Sequence, residues 1–142
     1  MKKLALLVLL AAMPALSLAE ITEAKAKQTI TKFYNRYVFG GVLDKADVQR
    51  IGTPRFIAKL KAAYESEYDC DDGNCYAAFD LRTDAQDGPG RNKVVKITPR
   101  SGGWYRVEYR DMGFKGITDV KLLEQNGVIK FDDYKRVFDG SH

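Results

Sequence analysis

The hydrophobic and polar positions along this chain follow two different periods. In residues 21–38, the apolar side chains recur three and four positions apart, which places them along one face of a helix. These positions are Ile30, Phe33, Tyr34, Tyr37 and Val38. Basic residues such as Lys32 and Arg36 fall mostly outside this stripe. The spacing therefore predicts an amphipathic helix that ends at Gly40-Gly41.

A second helical segment begins at Thr53-Pro54. The threonine hydroxyl can accept a hydrogen bond from an unpaired backbone N–H, and a proline at the first helical position already has the required φ. Apolar residues continue at helical spacing to about Tyr68: Phe56, Ile57, Leu60, Ala63 and Tyr64. A shorter helix is predicted from Asp44 to Arg50.

From Cys75 onward the period changes to two, which is typical of β-strands. Strands are predicted over residues 77–82, 93–98, 104–112, 117–124 and 128–137. The last two flank Asn126-Gly127, a dipeptide that supplies the two positive φ angles of a type I′ turn. Helices followed by strands with short connections predict an α+β fold, in which N-terminal helices pack on a curved antiparallel sheet of four to five strands.

The first residues have the pattern of a secretory signal peptide. Lys2 and Lys3 precede the apolar run 4–12, and a small-residue pattern follows at residues 17–19. We therefore expect cleavage after Ala19 and a periplasmic or secreted protein with one domain over residues 20–142. The apolar run is too short to span a bilayer, so no membrane anchor is expected.

Charge and residue content exclude several classes of function. Two of the 23 Lys and Arg residues lie in the signal segment, so 21 basic residues remain against 19 acidic ones, and the two signs are interspersed. This balance argues against a nucleic-acid partner. The single histidine, His142, is at the C-terminus, which argues against a Ser-His or Cys-His nucleophile and a His-rich zinc site. We expect no cofactor and no metal.

The two cysteines, Cys70 and Cys75, are expected to form a disulfide in an oxidising compartment. Four oxygen-bearing residues surround them: Asp69, Asp71, Asp72 and Asn74. A calcium loop is the alternative interpretation, but the spacing does not match the EF-hand register.

Two carboxylates on the predicted sheet are candidate site residues. The turn at Asn126-Gly127 predicts the pairs across the hairpin: Leu122 with Phe131, Lys121 with Asp132, and Val120 with Asp133. Asp111 shares a strand face with Tyr105, Val107 and Tyr109.

Asp111 and Asp133 are therefore predicted to reach one concave pocket with Tyr34 and Tyr37. A carboxylate desolvated there would have a raised pKa and could act as a general base. The alternative is that each carboxylate is hydrated or hydrogen-bonded at a strand end.

A second polar group precedes the Gly88-Pro89-Gly90 loop: Asp80, Arg82, Asp84, Gln86 and Asp87. These side chains could form the polar rim of a ligand site. Asp and Gln beside glycine and proline also commonly cap turns, which is the structural alternative.

The order and length of these elements resemble the cystatin-like, nuclear-transport-factor-2-like cone fold. The closing segment 126–133, with its turn glycine, alternating apolar residues and final acidic pair, is similar to the last strand of that superfamily. Asp80 followed by Gln86-Asp87 resembles DUF3828, a family of exported bacterial domains of unknown function, over about residues 28–137. The resemblance implies a bent sheet around the first helix and often a pocket.

Three functions are compatible with the sequence. We expect a non-enzymatic domain, monomeric or homodimeric, that binds a small molecule or a protein partner. One alternative is a small isomerase or hydratase that uses Asp111 or Asp133. The other is an inhibitor or immunity protein for an enzyme in the same compartment.

Overall fold

The computed structural model describes residues 21–85 and 87–138. The predicted signal peptide, Gln86 and His142 lie outside these ranges. Three α-helices come first: α1 (Glu23–Phe33), α2 (Lys45–Ile51) and α3 (Pro54–Glu65). Four strands follow: β1 (Lys93–Pro99), β2 (Trp104–Asp111), β3 (Phe114–Gln125) and β4 (Val128–Phe138). The helices pack on a curved, unclosed antiparallel sheet of order β1-β2-β3-β4, which confirms the predicted α+β class.

Side-chain caps fix the starts of α2 and α3. The carboxylate of Asp44 accepts from the backbone N–H of Asp47 at 2.8 Å at the start of α2. The hydroxyl of Thr53 accepts from the N–H of Phe56 at 3.3 Å at the start of α3, with Pro54 in the first position. These caps satisfy N–H groups that have no partner within a helix. The predicted start of α3 is confirmed, although the helix ends at Glu65 instead of near Tyr68.

A π-helical turn, Tyr34–Val38, extends α1. The N–H of Phe39 donates to the carbonyl of Tyr34 at 3.0 Å, five residues back. The wider turn keeps Tyr34, Tyr37 and Val38 all buried against the sheet.

The predicted strand over residues 77–82 is wrong, because this segment forms a short 3-10 helix, Ala78–Leu81. Its backbone N–H groups bond locally: that of Asp80 donates to the carbonyl of Ala77 at 2.9 Å, and that of Arg82 donates to the carbonyl of Phe79 at 3.1 Å. Side chains anchor the segment instead of a strand ladder. The carbonyl of Leu81 accepts from the Tyr34 hydroxyl at 2.9 Å and from the Thr118 hydroxyl at 3.1 Å.

The β3-β4 hairpin forms around the predicted turn, with φ of 51° at Asn126 and 80° at Gly127. Leu122 pairs with Phe131 as predicted. Beyond that pair the predicted register is wrong, as a bulge leaves Asp132 without a cross-strand partner.

The strands beyond the bulge are therefore displaced by one residue. Lys121 pairs with Asp133, and Val120 pairs with Tyr134. Asp132 is buried and accepts from the Thr53 hydroxyl at 2.8 Å, so it does not pair with Lys121 in solvent. A bulged residue is free to turn toward a partner outside the ladder, and here that partner is the helix cap.

The core lies between the helices and one face of the sheet. On β2 the buried residues are the predicted set Tyr105, Val107, Tyr109 and Asp111. The predicted disulfide between Cys70 and Cys75 is present. Among the described helices, none has the length and apolar character needed to cross a membrane.

Candidate functional site

Asp111 is held in a buried ion pair. One carboxylate oxygen accepts from Arg82 Nε at 3.0 Å and from the Thr83 N–H and hydroxyl at 3.0 and 2.6 Å. The other accepts from Arg82 Nη2. Burial alone raises the pKa of Asp111, but these hydrogen bonds and the guanidinium charge outweigh it and lower the pKa. The carboxylate is therefore ionised and fully occupied.

Asp133 belongs to a different cluster, on α3. Its oxygens accept from Arg55 at 2.6 Å and from Lys59 at 2.8 Å. Burial raises the pKa of Asp133, yet the bonds from Lys59 and from the Tyr134 N–H and the two nearby cations lower it overall. Asp111 and Asp133 have no common partner, so the predicted shared pocket is not formed.

Aromatic side chains fill the space that the sequence assigned to that pocket. Tyr34 is completely buried, and its ring lies 5.3 Å from that of Tyr109 and 6.3 Å from that of Phe33, between centroids. Burial raises the pKa of both tyrosines, that of Tyr109 to about 12, so both remain neutral donors. Tyr34 is a core residue.

The polar residues before the glycine-rich loop attach residues 80–84 to β4. The hydroxyl of Tyr134 donates to Asp80 at 2.5 Å. Arg136 donates to the carbonyl of Asp80 at 3.1 Å and to the carboxylate of Asp84 at 3.1 Å. Asp87 is exposed and makes no hydrogen bond or ion pair with another described residue. Asp80 and Asp84 therefore bond side chains of β4 and do not cap a turn.

An open cleft of about 490 Å³ lies elsewhere, between α1, α2 and the start of β4. We call it the basic cleft. It is lined by Thr29, Lys32, Phe33, Arg36, Tyr37, Arg50, Ile51, Val128, Ile129 and Phe131. Phe33 and Phe131 form its floor, buried and 4.5 Å apart between ring centroids. Of the predicted ligand-binding residues that the structure describes, Tyr37 alone lines it.

The rim of the basic cleft carries an excess of positive charge. Arg50 is paired with Asp47 at 2.8 Å, and the Tyr37 hydroxyl donates to the other oxygen of Asp47 at 2.9 Å. The bonds from Arg50 and Tyr37 lower the pKa of Asp47, and burial together with this bond raises that of Tyr37. Lys32 and Arg36 form no ion pair within residues 21–85 and 87–138. Two positive charges are therefore uncompensated at the rim.

Sequence reasoning missed the basic residues of this cleft. In the sequence, Lys32 and Arg36 lie mostly outside the apolar stripe of the first helix, and helical period separates only buried from exposed positions. One signal was available: the two residues are four positions apart with no acidic residue beside them, which places two like charges on one helical face.

Metal binding at the disulfide loop is not supported. Within the described ranges, Cys70, Asp72 and Cys75 bring their ligand atoms within 4.8 Å of one another. Both sulfurs are joined in the disulfide, so neither is a thiolate ligand.

No protein-family model matches the chain, and no curated protein matches it. Among solved structures, it is similar to a protein of unknown function from Bacteroides thetaiotaomicron. The two share 22% identity and a TM-score of 0.55 over 80% of this chain and 90% of that one. At this identity the similarity shows the fold alone.

Proposed function

We propose that this protein is an exported, non-enzymatic domain that binds a small molecule in the basic cleft. The observation that carries the proposal is the pair of uncompensated cations, Lys32 and Arg36, above a buried aromatic floor. A concave apolar surface with a few convergent polar groups is the usual form of a small-molecule site, and about 300–1,000 Å³ is the usual volume. The cleft has both properties.

The alternative of an isomerase or hydratase has less support. A general base near neutral pH needs a pKa that is raised toward the working pH. Asp111 and Asp133 have lowered pKa values and are occupied by cations. Asp47, at the edge of the basic cleft, is likewise held by Arg50 and Tyr37 with a lowered pKa.

We further propose that the chain belongs to the nuclear-transport-factor-2-like superfamily and to its DUF3828 branch. The support is the order of elements: an N-terminal helical layer followed by four antiparallel strands in meander order. The last hairpin, with its bulge at Asp132, is also in keeping with a curved cone, because a bulge bends the strand that carries it.

Chemical-shift mapping tests the site. The purified, isotope-labelled protein is titrated with a panel of apolar and charged small molecules, and amide shifts are followed residue by residue. We expect perturbations at Thr29, Arg50 and Ile129, which come from three different elements of the cleft. Lys61, on the outer side of α3, serves as an internal reference that should not move. A panel that shifts no amide, or shifts only residues of β1, would refute the proposal.

A protein partner is the second candidate, because one exposed aromatic cluster is present. The rings of Tyr64, Tyr68 and Phe79 contact one another in tilted and edge-to-face orientations with centroids 5.4 to 6.2 Å apart, and Tyr68 is 55% exposed. Exposed aromatic residues are enriched at protein interfaces. An inhibitor of an enzyme in the same compartment could present this surface.

The second candidate is tested with an enzyme from the same compartment that the immobilised protein captures. The wild-type protein should reduce that enzyme's activity, Tyr68→Ser should not, and Arg36→Gln should act like the wild type. Equal inhibition by wild type and Tyr68→Ser would remove the aromatic cluster from consideration.

A further inference from the structure

We infer that the basic cleft selects an amphiphilic monoanion: a carboxylate head placed at Lys32 and Arg36, with an apolar body on the aromatic floor. This inference rests on the proposed function, since it names the chemical class of ligand for the same cleft. Three features of the structure support it: the free cations, the exposed apolar wall and the direction of the adjoining helices.

The cations are available for a ligand. Glu23, the acidic residue of α1, is already paired with Lys27 at 2.8 Å, and it is nine residues from Lys32. The guanidinium of Arg36 lies 5.6 Å from the centre of the Tyr37 ring, a contact that orients it without neutralising it. Asp47 is bonded to Tyr37 and Arg50, and the charge of Arg36 also lowers its pKa, so this one carboxylate is shared by two guanidinium groups. An anionic ligand would therefore bind without displacing an internal ion pair.

The apolar wall is incompletely covered by the protein itself. Val128 is 46% exposed, and Ile51 and Ile129 are partly buried. These side chains continue the buried floor of Phe33 and Phe131 out to the mouth of the cleft. Covering them removes apolar surface from water, which favours a ligand with a hydrocarbon body over a small hydrophilic anion.

The two helices beside the cleft disfavour a polyphosphate more strongly than a single negative charge, because the partial negative charge at a helix C-terminus repels anions. Arg36 lies in the last turn of the helical segment that continues α1, and Arg50 lies in the last turn of α2. Both helices therefore bring their carboxyl-terminal ends to the cleft. Helix N-termini, which supply the N–H groups that bind phosphates, are not offered by these two helices here. Side-chain cations must hold the anion, and a carboxylate fits two of them.

Calorimetric titration of the purified protein tests the inference. The probes are dodecanoate below its micellar concentration, dodecanamide as a neutral analogue, acetate and phosphate. We expect dodecanoate to bind about tenfold or more tightly than the neutral analogue, and acetate and phosphate to bind undetectably. Dodecanoate affinity should also fall as salt rises, since the cations are exposed.

Substitutions locate the effect. Lys32→Gln and Arg36→Gln should each weaken dodecanoate several-fold, and the double variant should bind it no better than the neutral analogue. Lys25→Gln is the matched control, because it removes a positive charge from the same helix away from the cleft and should leave affinity unchanged. All three substituted side chains are exposed, so circular dichroism should show native folding.

The outcomes separate this inference from the proposed function. Equal binding of dodecanoate and dodecanamide in the cleft would overturn the preference for an anion, while the proposed small-molecule site would stand. Tight binding of acetate or phosphate would overturn the amphiphile. The protein is also tested for binding to vesicles of anionic phospholipid: binding to them without binding of free dodecanoate would assign the cleft to a membrane surface and overturn the inference of a free ligand. No binding of any probe, with no shifted amide in the mapping experiment, would refute both.

Discussion

Replacing Asp111 by asparagine keeps the shape of a buried side chain and removes its charge. Asp111 is 0% exposed, and the side chain of its partner Arg82 is 15% exposed. The oxygen that accepts three bonds can be replaced by the amide oxygen. The other oxygen becomes an NH₂ group, which faces a donor of Arg82 and leaves the guanidinium without a counter-charge.

The expected loss of stability follows from this geometry. Removing one partner of a buried ion pair generally costs about 3–5 kcal/mol, because the remaining charge is buried and unpaired. Since Arg82 retains some solvent contact and the new amide keeps the bonds from Thr83, we expect about 3 kcal/mol for Asp111→Asn. Arg82→Met should cost a similar amount. The double variant should be less destabilised than the sum by at least about 1 kcal/mol.

Urea unfolding, followed by far-UV circular dichroism and by Trp104 fluorescence, measures these free energies. Glu23→Gln is the control: it breaks an exposed pair one turn apart on α1 and should cost no more than about 0.5 kcal/mol. A loss below about 1 kcal/mol for Asp111→Asn, or additive effects of the two substitutions, would contradict the buried ion pair.

The same pair predicts a pH dependence of definite sign. The folded-state pKa of Asp111 lies below its ordinary value of 3.8, so the folded state binds the proton more weakly than the unfolded state. The stabilisation is therefore fully present above that ordinary value and is lost as the pH falls through the folded-state pKa. The difference in unfolding free energy between wild type and Asp111→Asn should shrink on acidification below about pH 4. A difference that grows with acid would refute the assignment.

Three further predictions concern stability. Replacing both Cys70 and Cys75 by serine should lower the free energy of unfolding by about 2 kcal/mol, and reductant should abolish the difference from wild type. Gly116→Ala should destabilise by about 1–3 kcal/mol in urea unfolding, because a Cβ there would lie 2.4 Å from the Tyr109 ring; unchanged stability would contradict this packing. Thr53→Ala should cost about 2 kcal/mol, since it removes a helix cap and the donor to a buried carboxylate, while Thr53→Ser should retain most of the stability.

Local signals determined the elements that the sequence predicted correctly. The cap at Thr53-Pro54 and the turn at Asn126-Gly127 act within a few residues, so the sequence alone predicts the structures that they form. The predicted strand over residues 77–82 failed because its backbone is held by Tyr34 and Thr118, which are far away in sequence. Alternation of residue types carries no information about such partners.

The composition of the candidate site also depends on contacts between residues that are far apart in sequence. The bulge at Asp132 is stabilised by Thr53, 79 residues away, and it changes the partner of every residue beyond it in β4. The alternation of side chains along a strand does not predict where a bulge inserts one extra residue into the ladder. As a result, Asp133 is bonded to α3 and does not share a pocket with Asp111.

The sequence by itself determined the helical and strand periods, the helix caps, the hairpin turn and the cysteine pair, because each is fixed by short-range chemistry. The tertiary structure alone decided which carboxylates are ion-paired and which cations are free. Lys32 and Arg36 are ordinary exposed positions on an isolated helix. They become the rim of a cleft only when α2 and β4 pack beside α1 and place an apolar floor beneath them.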